Sequence, residues 1–164
     1  MVNESQSAWY FYQGWDTFQE MLITALTPLS PEQLALRSAT NLRSVGENCR
    51  HIIGARVRWC HSLMHLGDEA FAALGQWDRQ GMPERDADEL ITGLRGSWQV
   101  LHDALEEWTP ADLAYAYPND AREPGEPEAF TRQWVIWHLI EHDVYHGGEI
   151  SQILGAHDIK GVDL

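Results

Sequence analysis

Apolar side chains recur every three or four positions along four long stretches of the chain, the period of helices buried on one face. In the first stretch, residues 7–27, Trp15, Phe18, Leu22 and Leu26 keep this step, and Pro28 ends it. The second starts at Ser44, where Ser44 and Glu47 have capping-box spacing, with Glu47 able to reach back to the N–H of the cap residue. It continues through Ile52, Ile53, Val57 and Leu63 and stops before Gly67. The third opens at Asp86 or Ala87, with Asp86 and Glu89 in the same spacing, and runs to Trp108 ahead of Thr109-Pro110. The fourth begins at Phe130 or Thr131 and extends to about Ala156. Between the first two, Ser30-Pro31-Glu32-Gln33 has the cap, proline and glutamine of a short helix start.

Strand signals are nearly absent; only residues 113–117 alternate weakly. There is no internal repeat and no low-complexity segment. The pattern predicts an all-α four-helix bundle in one domain spanning residues 1–164. Two connections, residues 67–85 and 109–129, are longer than a bundle needs, and loops of such length are usually functional or mobile. Pro118, Pro124, Gly125 and Pro127 keep the second from continuing a helix.

Charge narrows the range of partners. The chain carries 11 Lys+Arg against 25 Asp+Glu, a net charge of −14. Such a surface repels phosphate backbones and anionic lipid, so neither nucleic acid nor a membrane surface is expected as a partner. No apolar run approaches the roughly 20 residues of a bilayer span. The N-terminus lacks the basic and apolar regions of a signal peptide, and a cytoplasmic location is expected. Cys49 and Cys60 lie eleven residues apart, about 16 Å along one helix. That is too far for a disulfide, and two buried free thiols are expected. Of the eight tryptophans, most belong in the core, and a few are candidates for lining a pocket.

The chemistry concentrates in WVIWHLIEHDVYHGGEISQIL, residues 134–154, where His138, His142 and His146 stand four residues apart. Positions i and i+4 lie one above the other on a helix face, so adjacent members of this trio can share one ion. The outer two, about 12 Å apart, cannot. Spacing alone leaves His138/His142 and His142/His146 both open. His51, inside the apolar run HIIGARVRW of the second helix, can supply a third nitrogen. A mid-helix histidine facing a core must be hydrogen-bonded or ligated. His61 and His65 repeat the spacing ten or more residues beyond His51, roughly 15 Å along the axis, and suit a solvated helix end. His102 and His157 are isolated and are assigned no chemistry.

SVGENCRHIIGARVRW followed far downstream by HLIEHDVYHGGEISQILG resembles the DinB-like superfamily of metal-binding helical bundles. The family pattern has one histidine on the second helix and an H-x-x-x-H pair on the fourth, followed by glycine and an acidic or amide residue. The resemblance therefore implies His51, His142 and His146 as metal ligands, with Gly148 and Glu149 matching the residues that follow. His138 then falls one turn before the triad, as a packing or supporting histidine. One departure is Gly147, which stands where many members carry arginine directly after the last histidine. Gly147-Gly148 pairs two poor helix formers, at about 1 kcal/mol each relative to alanine. A close approach by another helix or a ligand explains that pair, and so does a local kink.

Each ligating imidazole needs a partner on its far nitrogen. Glu47, four residues before His51, and Asp143 and Glu149, which flank His146, are candidates, although capping is the stronger role for Glu47. Three neutral nitrogens with an open position suit Zn²⁺, Ni²⁺ or another first-row divalent ion. Such an ion can activate water for hydrolysis or a thiol for transfer. Resemblance to thiol-dependent relatives implies a metal-dependent S-transferase acting on a small-molecule substrate with a low-molecular-weight thiol as cosubstrate, the 109–129 connection covering the pocket. A metal-dependent hydrolase and a non-enzymatic helical binding module are the alternatives. Trp9, Tyr10, Phe11, Tyr12, Trp15 and Phe18 put aromatics on more than one side of the first helix, from which a homodimer is expected.

Overall fold

The computed structural model describes residues 6–120, 124–125 and 127–162. Four long helices carry the architecture: α1 (Gln13–Leu26), α3 (Val45–Val57), α5 (Ala87–Glu107) and α6 (Arg132–Gly155). The short helices α2 (Pro31–Leu34) and α4 (Glu69–Leu74) lie in the connections. The all-α bundle expected from the periodicity is the fold observed.

The helix starts are local chemistry. Ser30/Gln33, Ser44/Glu47 and Asp86/Glu89 each form the reciprocal pair of a capping box at α2, α3 and α5. Thr131 caps α6 and Asp68 caps α4 through a single side-chain acceptor each. A cap of this kind is worth about 1 kcal/mol, which sets where a helix begins more than how firmly the bundle holds.

Packing does the rest. α3 lies against both α5 and α6, and α1 against α5 and α6. One part of the core gathers Leu22, Leu26, Ile52, Ile53, Leu90, Leu94 and Ile150. The other gathers Trp15, Phe18, Trp98, Leu101, Ile136 and Leu139. Cys49 and Cys60 are buried free thiols, and burial pushes the Cys49 thiol up to about 12, so neither is a thiolate at neutral pH.

Three departures from the sequence reading have physical causes. Residues 7–27 are not one helix: Ala8–Phe11 is a 3-10 turn, and Tyr12, at φ −120° and ψ 11°, breaks it from α1. The Ala8 N–H donates to the Trp108 carbonyl and the Trp9 ring packs on Trp98 and His102, so this turn follows α5. The second helix leaves α geometry at Val57 and continues as a π turn over Arg58–Leu63. His65 and Gly67 then take positive φ, 58° and 74°, and end it. Finally, the weakly alternating stretch does pair: β1 (Ala116–Pro118) runs antiparallel to β2 (Ala129–Thr131), with Tyr117 opposite Phe130. Part of the connection expected to cover the site, residues 121–123 and 126, lies outside the described residues.

Candidate metal centre

Because α3 packs on α6, His51 faces the middle of the H-x-x-x-H-x-x-x-H row. His51 Nε2 stands 3.2 Å from His142 Nε2. The His146 ring lies 4.8 Å from the His51 ring and 4.4 Å from the His142 ring, centroid to centroid. One nitrogen from each of the three falls within 4.8 Å of the others. Two nitrogens bound to one tetrahedral ion at about 2.0–2.1 Å stand about 3.3–3.4 Å apart. The His51–His142 separation is therefore close to that of two ligands on a shared ion.

Two carboxylates fix which nitrogens face the centre. His51 Nδ1–H donates to Asp78 Oδ2 at 2.9 Å, and His146 Nδ1–H donates to Glu149 Oε2 at 2.7 Å. Both rings then present an unprotonated Nε2, as a metal ligand must. Asp78 is itself held by Arg58, at 2.8 Å to Oδ1 and 2.9 Å to Oδ2. Burial pushes the Asp78 carboxyl up, but the hydrogen bonds from Arg58 and His51 outweigh that and hold it below the ordinary carboxylate range. It is thus an anion that accepts the imidazole proton.

Two of the rings, His51 and His142, are held in the neutral form. Burial lowers His51, helped by the charges of Arg43 and His146. Burial is also the main cause that takes His142 down to about 3, with His146, His51, His138 and Arg58 adding to it. Among the described residues, the buried His142 Nδ1 has no hydrogen-bond partner. The donor set of three imidazoles, two of them with a carboxylate on Nδ1, fits a divalent ion such as Zn²⁺.

The remaining candidates divide. Glu149 meets His146, as its i+3 position suggests. His138 stands apart: its ring stacks on Trp134 at 5.1 Å, its Nδ1 lies 3.2 Å from Glu141, and its centroid is 6.1 Å from that of His142. Asp143 does not support any imidazole. It is fully buried on the other side of α6, where it accepts from Arg56 Nη2 at 2.7 Å and Trp15 Nε1 at 2.8 Å. Successive helix positions point about 100° apart, so an acid next to His142 faces the core instead. Glu47 completes the α3 capping box and pairs with Arg37 at 3.3 Å, and it makes no hydrogen bond to His51. His61 donates to the Leu66 carbonyl at 3.1 Å, and exposed His65 leaves the helix with positive φ.

Asp78 was hidden from the sequence by its place in the 67–85 connection. Its trace is Gly54, one turn after His51: a Cβ there would stand 2.7 Å from the Asp78 carboxylate. Gly147 has a similar cause, since a Cβ on it would stand 2.5 Å from Phe18 Cζ. Of the two readings of the glycine pair, close approach by another helix holds for Gly147, and α6 runs through it unbroken. Among the described residues, nothing lies within 4 Å of a Cβ built on Gly148. The sequence did not say which tryptophans would line a pocket: Trp59 at the π turn packs on Phe130, Trp134 and His138, with centroids 5.0–5.4 Å apart, beside the three rings.

The sequence pattern of the DinB superfamily matches residues 15–150, most of the chain and all three histidines. The chain belongs to the DinB superfamily. A solved DinB-like protein from Bacillus cereus ATCC 10987 has the same fold, with a TM-score of 0.72 over 97% of this chain and 98% of that one, at 20% identity. No curated protein matches. No helix among the described residues is long and apolar enough to cross a membrane. This DinB chain thus combines the superfamily fold with a compact group of three imidazoles able to hold a metal ion.

Proposed function

We propose that the protein is a divalent-metal-dependent S-transferase, with His51, His142 and His146 as the ligands of a Zn²⁺ or Ni²⁺ ion and a low-molecular-weight thiol as cosubstrate. The observation that carries this reading is the meeting of three imidazoles, two of them held at Nδ1 by Asp78 and Glu149, which leaves the Nε2 of each for an ion. His51, His142 and His146 would hold a divalent ion there, and that ion would supply acidity to a thiol bound beside it. The protein's own part is to hold the rings, keep His51 and His142 unprotonated and shape the space in front of them. Trp59, Phe130 and Trp134 offer an apolar wall for an electrophilic acceptor. Transfer is preferred to hydrolysis because the two carboxylates touching the three rings, Asp78 and Glu149, each give an oxygen to an Nδ1 proton, a role that orients ligands.

The test is thiol consumption against a chromogenic aryl halide with metal-loaded protein. Turnover that requires both metal and thiol, and that is lost in His142→Ala but kept in His61→Ala, is expected. Metal-dependent ester or amide cleavage with no thiol requirement would point to the hydrolase instead. The reading includes a homodimer, supported by the exposed Tyr10, Phe11, Trp137 and Tyr145, at 50–65% exposure. Sedimentation at micromolar concentration tests it.

A further inference from the structure

Cationic side chains are scarce in this chain, 11 against 25 acids. Four of them nevertheless line one pocket of about 410 Å³, formed by the start of α3 and the connection after α4: Arg37, Arg43, Arg50 and Arg79. A volume of this size suits a small molecule or a substantial part of one.

The three carboxylates in the same wall do not neutralise it. Glu47 is held by the Ser44 N–H and by Arg37 at 3.3 Å. Glu84 is held by Arg50 at 3.1 Å. Asp78 is held by His51 and by Arg58, whose guanidinium is not part of the pocket wall. Each acid therefore has its own cation, and Arg43 and Arg79 are left over. Among the described residues, neither guanidinium has a hydrogen-bond or ion-pair partner. Arg50, only 7% exposed, spends Nη2 on Glu84 and Nη1 on the carbonyls of Trp77, Met82 and Pro83, which pins the 77–84 segment against α3.

This pocket and the three rings share a wall. Asp78 lines the pocket and also holds His51 Nδ1 at 2.9 Å. Glu47 and Arg50 come from the turn of α3 that precedes His51, and Arg43 is near enough for its charge to act on that ring. Guanidinium groups are suited to carboxylate and phosphate oxygens, which they bind in pairs with charge-assisted hydrogen bonds.

We propose that the pocket lined by Arg43 and Arg79 is an anion subsite, which takes a carboxylate or phosphate group of the small molecule whose other end reaches the metal. The link to the metal rests on the function proposed above; the anion subsite itself does not. Remote binding energy of this kind holds a reacting group in place, so a thiol with carboxylates at a distance from its sulfur is the cosubstrate class that fits. It also reconciles an acidic protein with an anionic ligand, since attraction is confined to one concavity.

Two titrations test this. In the first, metal-free protein is titrated calorimetrically with citrate and with pyrophosphate, which separates carboxylate from phosphate preference. Saturable binding of at least one is expected. It should weaken at least about tenfold in Arg43→Gln/Arg79→Gln, and stay within about twofold of wild type in the charge-matched Arg95→Gln/Lys160→Gln and in His142→Ala. No saturable binding by wild type, or equal losses in the two double variants, overturns the subsite. In the second, cobalt-loaded protein is titrated with glutathione and with its diethyl ester, and the visible spectrum of the metal is read. Glutathione should saturate at a concentration at least about tenfold lower than the ester, and Arg43→Gln/Arg79→Gln should erase that advantage. Equal responses to the two thiols in wild type overturn the link between pocket and metal. A cobalt spectrum moved by neither thiol overturns the thiol reading of the centre, while the calorimetry still decides the subsite.

Discussion

Asp78 reaches out of a loop to take the Nδ1 proton of His51 at 2.9 Å, and the backbone of Gly54 gives it room to do so. The two residues lie 27 positions apart and in different kinds of structure. Asp78 decides which nitrogen of His51 faces its two neighbours, and Arg58 keeps that carboxylate charged. The orientation of the candidate metal centre is therefore set partly by a side chain that belongs to no helix.

Removing this support should weaken metal binding with the ligand set left whole. Asp78→Asn, and separately Gly54→Ala, should each lower zinc affinity by about 10–100-fold in competition with a chromogenic chelator. Gly54→Ala is the more discriminating of the two. Alanine favours a helix by about 1 kcal/mol over glycine, so a loss of affinity there comes from the displaced carboxylate and not from a weaker α3. Unchanged affinity in both proteins would mean that the Asp78 contact plays no part in binding.

Gly147 should be intolerant for a reason unrelated to the metal. A methyl group at that position meets the Phe18 ring, so Gly147→Ala should destabilise the fold by about 1–3 kcal/mol in urea unfolding. Phe18→Leu in the same chain should restore part of the loss. Gly147→Arg should cost more than alanine, because α1 lies too near.

The Arg56–Asp143 pair is wholly buried, both side chains at 0% exposure. Asp143→Ala should cost about 3–5 kcal/mol, since it strands a guanidinium in the core. Replacing both partners with apolar residues, as in Arg56→Met/Asp143→Leu, should cost less than the single change. A single variant as stable as wild type would show that the pair contributes little.

Metal-free protein should lose stability as the medium turns mildly acidic. His142 titrates near 3 in the folded chain and near 6.5 in the unfolded one. Between those values the unfolded state binds more protons, so the contribution is fully present above about pH 6.5 and is lost as pH falls below it. His51 shifts in the same direction. Asp78, whose folded value is lowered from 3.8, adds its own loss only in stronger acid. The urea midpoint should therefore drop between about pH 7 and pH 5, and His142→Gln should flatten that drop. A midpoint equally pH-dependent in both proteins would contradict the assignment.

Much of this arrangement is written in the sequence, and the parts that are not share a cause. The four helices are legible because burial on one face imposes a 3.6-residue period and because Ser44 and Asp86 mark two of their starts. The three histidines are legible because i,i+4 spacing puts two rings on one face and a third interrupts an apolar run. Spacing could not choose between His138 and His146, since the choice depends on the height at which α3 crosses α6. Asp143 misleads because neighbouring positions on a helix face different ways. Asp78 and the π turn leave almost no trace, because a loop has no period and a widened turn no residue signature. Gly54 was the exception, a glycine in a helix interior one turn from a candidate ligand.

The central claim is that His51, His142 and His146 share one ion. Anomalous diffraction from crystals of untagged protein grown with zinc tests it most directly. The account predicts one strong peak about 2.0–2.1 Å from a nitrogen of each of the three rings, with His138 outside its reach. A peak held by His138 and His142, or no peak among the rings at saturating zinc, would contradict it.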